Sequence, residues 1–248
     1  MADLVITAVP CLRDNYAYLV RGTTASAAWV VDPSEHEPVI AALTAAGLGL
    51  AGVLATHHHP DHVGGVPGLL AHFGPRPVAA HASDRDRIEG QSLFVDAPTT
   101  GFVDSGLVID GRKALAAHIP GHTRGAIAWY LPAEGSDDGH VFTGDTLFAG
   151  GCGRLFEGTP AQMFASLTLL CSLPPTTKMW FGHEYTASNL RFAAVAEPDN
   201  DAITQRAAAL PACTTPTTVA LERATNPFVR AGDAEGLGRR RAAKDEFR

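Results

Sequence analysis

No window of the 248-residue chain comes near the roughly 18 uninterrupted apolar residues of a membrane-spanning helix. The opening MADLVITAVP places no basic stretch ahead of an apolar one, so no export signal is visible and a cytoplasmic address is expected. Excess positive charge is missing too. With 19 Lys and Arg against 26 Asp and Glu, the formal net charge is −7, which argues against a nucleic-acid surface as the main function. Cysteine is scarce. Cys11, Cys152, Cys171 and Cys213 stand far apart without a C-x-x-C pair, so buried free thiols are expected rather than disulfides or a cysteine zinc site. Internal repeats and low-complexity linkers are absent as well. What is present, 46% hydrophobic and 18% charged residues, is the balance of a globular protein long enough for a sizeable core.

Apolar runs at 4–9, 16–20 and 27–31 read as strands, the last stopped by Asp32-Pro33. Residues 36–46 turn helical, with Val39, Ile40, Leu43 and Ala46 on one face and Gly47 placed to end the helix. A strand at 51–55 delivers the chain into Thr56-His57-His58-His59, and a helix is suggested over 62–73. Further strand-like runs lie at 76–80, 101–104, 107–110, 114–119, 126–131 and 140–143. Helices follow at roughly 160–172, 185–196, 199–209 and 217–224, with one short strand near 178–181. An α+β chain is expected, sheet-rich over 1–173 and mainly helical over 174–248.

Four of the eleven histidines fall between 57 and 62, in T-H-H-H-P-D-H-V-G-G, with Asp61 among them. The plain reading makes Asp61 a helix N-cap and the histidines solvated loop residues. That leaves several imidazoles crowded together without a purpose. Neutral imidazole with carboxylate is the ligand set that divalent zinc, iron or manganese prefers. His57 and His59, two apart, point the same way in an extended loop and can hold one metal. Asp61 and His62 can turn towards a second, and His58 then points away from both. Two metals need more donors than this segment holds. His122 in P-G-H-T, Asp145 in T-G-D-T and His183 in F-G-H-E each follow an apolar run and supply them. Each alone is weak evidence; the conjunction is strong.

With these residues the chain resembles the metallo-β-lactamase superfamily and, within it, glyoxalase II, the hydroxyacylglutathione hydrolases. The T-H-x-H-x-D-H motif marks only the superfamily. The narrower likeness rests on G-D-T-L-F at 144–148, G-C-G-R-L-F-E-G-T at 151–159 and G-H-E-Y-T at 182–186. N-L-R-F-A at 189–193, T-N-P-F at 225–228 and R-A-A-K-D-E-F at 241–247 extend it. The resemblance implies a metallo-β-lactamase αββα sandwich followed by a smaller helical, glutathione-binding domain. It implies two divalent metal ions, zinc first, with iron or manganese as alternatives. His57, His59 and His122 would hold one, Asp61, His62 and His183 the other, and Asp145 would bridge them. Asp61 and Asp145 would also orient the attacking water. Glutathione contacts are implied for Arg154, Phe156, Tyr185, Arg241 and Lys244. Phe156 stands where some relatives have tyrosine and Ala126 where many have histidine, departures that bear on substrate affinity more than on chemistry. The run Arg239-Arg240-Arg241 would by itself read as solvated. Given the likeness, Arg241 and Lys244, i and i+3 on a helical turn, can present two cations to a carboxylate.

The implied reaction is hydrolysis of S-D-lactoylglutathione to D-lactate and glutathione, the second step of methylglyoxal detoxification. A monomer without nucleic-acid or membrane partners is expected to perform it. Two cations lower the pKa of a shared water from about 15.7 towards roughly 7. A thiolate, with a free pKa of about 8.5, leaves without a general acid, so thioesters suit such a site. The rivals are another hydrolase of the superfamily, a mononuclear iron persulfide dioxygenase, a thioesterase for a different carrier thiol, and a metal-binding scaffold without activity. The C-terminal Arg241 and Lys244 argue against the first two, and retention of all seven ligands argues against the scaffold.

Overall fold

Alternating and continuous apolar runs become two six-stranded sheets in the computed structural model, which describes residues 3–247. Strands β1 (Leu4–Cys11), β2 (Asn15–Gly22) and β3 (Ala27–Val31) form an antiparallel meander. Helix α1 (His36–Ala45) crosses to β4 (Gly49–Leu54), and α2 (Pro60–Val63) with α3 (Val66–Phe73) crosses to β5 (Val78–His81). A 3-10 turn at Ala82–Asp84 leads to β6 (Leu93–Val95), and pairing is parallel from β3 to β6. The second sheet starts as the antiparallel run β7 (Val103–Ile109), β8 (Arg112–His118), β9 (Ile127–Leu131) and β10 (His140–Gly144). After the small hairpin β11 (Leu147–Phe148) and β12 (Gly151–Cys152), α4 (Pro160–Leu170) returns the chain to β13 (Lys178–Phe181), parallel to β10. The chain continues through α5 (Thr186–Ala196), α6 (Asp201–Ala208), β14 (Thr217–Thr218), α7 (Val219–Thr225) and α8 (Ala234–Glu246). β14 pairs with β13, so β13 and β14, although they follow residue 174, belong to the second sheet.

The period-2 alternation of strands decides the layers. In β2, Tyr16, Tyr18 and Val20 pack between the sheets with Ile127, Trp129 and Phe142, while Ala17 and Leu19 face α1 and α3 with Val39, Leu43 and Leu69. The outer face of the second sheet meets α4 and α8 through Met163, Leu167, Leu170 and Leu237. Strands β9 and β10 are buried at every position, and β9 accordingly reads as a continuous apolar run, whereas β10 carries the buried polar residues His140 and Thr143. The layers are therefore helix, sheet, sheet, helix. Among the described residues no helix is long and apolar enough to cross a membrane.

Several elements differ from the sequence expectation. The single helix expected over 62–73 is two, divided at Gly64-Gly65, and at Gly65 a Cβ would lie 2.6 Å from the Glu35 carbonyl carbon and 2.7 Å from the Pro33 oxygen. The first of the two begins at Pro60 after His59, so Asp61 is inside the turn and is not its N-cap. The runs at 101–104 and 107–110 are one strand, β7, interrupted by a bulge between Asp104 and Leu107. The hairpin β11–β12 and strands β6 and β14, two or three residues each, carry too little pattern to be read in advance.

Candidate metal centre

The donors leave the sandwich at one edge, from the C-terminal ends of four strands. His57, His59, Asp61 and His62 follow β4, His122 follows β8, Asp145 follows β10 and His183 follows β13. Three groups of side chains offer atoms mutually within 4.8 Å: His57, His59 and His122; Asp61, His62 and His183; and Asp32, His57 and His62. In the first group His59 Nδ1 lies 3.1 Å from His57 Nε2 and 3.1 Å from His122 Nε2. In the second, His183 Nε2 lies 3.3 Å from His62 Nε2 and 3.4 Å from Asp61 Oδ2. Asp145 stands between them: Oδ1 is 3.2 Å from His62 Nε2, and Oδ2 is 3.3 Å from His183 Nε2 and 3.5 Å from His122 Nε2. His58 belongs to none of these groups; its ring turns towards Asp84 and Glu157.

In four of the five rings the nitrogen facing the centre presents a lone pair, because the other nitrogen is committed elsewhere. Acceptors fix this. His62 Nδ1 donates to Asp32 Oδ2 (2.9 Å), His183 Nδ1 to Asp14 Oδ1 (2.8 Å) and His122 Nδ1 to the Arg154 carbonyl (2.9 Å). Thr56 Oγ1 donates to Asp32 Oδ2 (2.6 Å), so it accepts from His57 Nδ1 (3.0 Å). Neutral rings held this way point lone pairs at each other and at the Asp145 carboxylate, an arrangement that repels unless a cation lies among them. The donor set therefore fits divalent metal ions. The electrostatics carry the same demand for positive charge. Burial opposes protonation of His183, yet hydrogen bonds to Asp145 and Asp61 raise it to about 10; burial likewise opposes His62, and Asp145 with Asp32 pushes it well up. Burial and neighbouring imidazoles push His59 down to about 4, and burial also pushes His57 and His122 down.

Asp14, Asp32, Thr56 and Asn15, whose Nδ2 donates to the Asp61 carbonyl at 2.9 Å, were not among the residues singled out from sequence. Asp32 did carry a signal. It follows a strand as the ligand candidates do.

The centre opens into a cavity of about 920 Å³. Arg154, Phe156, Tyr185, Arg241 and Lys244 all line it. The Tyr185 ring stacks on His183 at 4.8 Å, and the exposed Phe156 ring stands 5.7 Å from His59 and 5.3 Å from His122. Arg241 and Lys244 share a face of α8, but not as two free cations. Arg241 is buried, donating to the Cys152 carbonyl (2.8 Å) and Asp245 (2.9 Å), while Lys244 Nζ donates to the carbonyl and hydroxyl of Ser188, both at 3.1 Å. Ala126 is buried at the start of β9, its carbonyl accepting from Ile119 N, and touches no donor of the centre.

A family model described as the metallo-beta-lactamase superfamily matches residues 12–191, and one described as the hydroxyacylglutathione hydrolase C-terminus matches 184–247. A hydroxyacylglutathione hydrolase from a Synechococcus species is 48% identical, over 98% of this chain and 99% of that protein. The chain belongs to the hydroxyacylglutathione hydrolases of the metallo-beta-lactamase superfamily. A further hydroxyacylglutathione hydrolase, from Gloeothece citriformis, is 40% identical over 96% of this chain and 98% of its own length. Among solved structures, TTHA1623 in a di-iron-bound form matches with 31% identity and a TM-score of 0.59, covering 90% of this chain and 99% of that one. ETHE1 from Myxococcus xanthus has a TM-score of 0.67 at 23% identity, covering 98% of this chain and 90% of that one, a likeness of fold alone. The two family matches overlap at 184–191, at the start of α5, where its N-cap Tyr185 and its residues Ser188 and Asn189 reach the cavity.

Proposed function

We propose that the chain hydrolyses S-(2-hydroxyacyl)glutathione to glutathione and a 2-hydroxy acid, with S-D-lactoylglutathione as the leading substrate. The observation that carries this reading is the cavity that joins five of the seven donors, His59, Asp61, His122, Asp145 and His183, to a basic wall made by Arg154, Arg241 and Lys244. His57, His59 and His122 would hold one cation, Asp61, His62 and His183 a second, and Asp145 would reach both. Divalent cations there supply, when bound, an acidified water able to attack at neutral pH and a counter-charge for the carbonyl oxygen. The chain's own groups do the rest. Asp61 and Asp145 accept hydrogen bonds from the attacking water and orient it, and Asp32 and Asp14 hold the rings that surround them. Tyr185, Lys244 and Arg154 face the peptide of the substrate, so the carboxylate end of glutathione lies over α5 and α8. The thiolate leaves without a donated proton.

We take residues 174–248 as the part that contributes most of the peptide contacts, with 1–173 supplying most of the donors. Zinc is the first choice of metal, and the di-iron form of TTHA1623 keeps iron beside it. We take the monomer as the working unit. The test is turnover of the purified protein on S-D-lactoylglutathione and on lactoyl esters of two other thiols, with elemental analysis alongside. About two transition-metal ions per chain and a preference for the glutathione ester are expected. Full activity with at most one ion overturns the binuclear reading, and equal turnover of all three esters overturns the carrier.

A further inference from the structure

The segment T-N-P-F at 225–228 gives no donor to the metal centre and no wall to the cavity, yet its Asn226 and the nearby Glu222 are both fully buried. Both meet the hairpin β11–β12. That hairpin pairs Leu147 with Cys152 and Phe148 with Gly151, and two strands of two residues do not hold themselves together in water. Side chains from the helical end of the chain grip its backbone instead. Glu222 Oε2 accepts from Gly150 N at 2.9 Å, Asn226 Nδ2 donates to the carbonyls of Gly151 (2.9 Å) and Phe148 (3.3 Å), and Asn189 Nδ2 donates to that of Ala149 (3.2 Å). The grip is braced from behind. Asn226 Oδ1 accepts from Phe228 N at 2.9 Å, which turns its amide nitrogen to the hairpin, and Glu222 Oε1 accepts from Thr217 Oγ1 (2.6 Å) and Arg206 Nη2 (2.7 Å).

The hairpin is inserted between two parts of the centre. Asp145 lies just ahead of it in the chain, and Gly153-Arg154 follow its second strand. A Cβ at Gly153 would stand 2.0 Å from the Asp145 carbonyl oxygen and 2.8 Å from His122 Nδ1, so the returning backbone passes directly over both. At the next residue the Arg154 carbonyl accepts from His122 Nδ1 at 2.9 Å. Resting on the metal-centre reading, we infer that Glu222 and Asn226 are positioning residues: by gripping the hairpin they place the Arg154 carbonyl, which keeps His122 Nε2 aimed at the other donors. The ring of His122 is therefore set by side chains about a hundred residues further along the chain, (226 − 122) for Asn226. Isosteric exchange exposes the device. Asn226→Asp preserves shape but turns an acceptor towards the Gly151 carbonyl and Glu222 Oε2, which Asn226 Nδ2 now joins at 2.9 and 2.8 Å.

The experiment follows the imidazole N–H protons of zinc-loaded protein carrying isotope-labelled histidine. Wild type should show slowly exchanging Nδ1–H signals for His57, His62 and His122, the last assigned by its loss in His122→Gln. Asn226→Asp should speed solvent exchange at His122 about tenfold or more, with His57 and His62, held by Thr56 and Asp32, little changed. One zinc ion should also be held about tenfold less tightly against a chromogenic chelator. Leu43→Ala, which costs stability in the layer of α1 away from the hairpin, should move neither readout. Exchange at His122 that is unchanged, or that rises alike in all three rings, overturns the positioning role. Should Asn226→Asp fail to fold, Asn189→Ala, which gives up the Ala149 carbonyl alone, is judged by the same ratio of His122 to His62 exchange. A wild type that takes up no zinc overturns the metal reading itself, and that result precedes any variant.

Discussion

Asp32 never faces the cavity, yet three donors converge on it: Thr56 N at 2.7 Å, Thr56 Oγ1 at 2.6 Å and His62 Nδ1 at 2.9 Å. Asp32→Ala leaves those donors buried without an acceptor and frees two imidazoles to turn. We expect metal affinity to fall about 10–100-fold, read by competition against a chromogenic chelator. An unchanged affinity would mean that the rings are held by packing alone. The two groups of donors should also release metal at different pH. His57, His59 and His122, pushed down by burial, keep their lone pairs into acid, His59 to about 4. His183, which burial alone would lower, is lifted by Asp145 and Asp61 to about 10, so protons already compete for it at neutral pH. As pH falls, proton occupancy therefore rises first in the group of His62 and His183. Stepwise dialysis from about pH 8 to about 4 should remove one ion well before the other, and loss of both in one step would contradict the assignment.

The elements that hold the donors were legible wherever a residue followed a recognisable strand: β4, β8, β10 and β13 each end in a motif the sequence displays. Asp14 escaped because a carboxylate bonded to a ring 169 residues away leaves no local pattern, and Asp32, although it follows β3, serves a ring 30 residues further on. Helix α8 was legible only as the turn carrying Arg241 and Lys244. Two glycines and three consecutive arginines blur its period, and what makes it a helix is the Asp233 cap on Gly236 N and the contact of Leu237 with the cluster around α4. Its two cations should behave differently when removed. Lys244→Ala loses a half-buried cation, held by Ser188, whose contact is common to substrate and transition state, so KM should rise about tenfold with kcat little changed. Arg241→Ala should raise KM and also lower the thermal midpoint, because its guanidinium holds the Cys152 carbonyl of β12. Equal midpoints for the two variants would remove that structural role. Between α2 and α3, Gly65→Ala forces the backbone of the donor loop away from Pro33 and Glu35, and metal content should drop with stability.

Across the whole molecule the donors join two sheets that otherwise meet through side chains such as Tyr18, Trp129 and Phe142, and through the Trp129 Nε1 bond to the Ala55 carbonyl. His57, His59, Asp61 and His62 belong to the edge of the first sheet, and His122, Asp145 and His183 to that of the second. Bound cations thus fasten the sandwich, and chelation should lower the melting temperature. An ion free at 100 times its Kd contributes about 2.7 kcal/mol of stability. Calorimetry with and without chelator measures this, and coincident transitions would show that the sheets need no fastening.

The spread of those donors along the chain also sets an order of events during synthesis. His62 leaves the peptidyl-transfer site 121 residues before His183 (183 − 62), which at about 5–20 residues per second is roughly 6–24 s. The trio His57, His59 and His122 is complete in the growing chain while Asp145 and His183 are still untranslated. The three-imidazole group is thus present in the growing chain before β13, and with it His183, has been made.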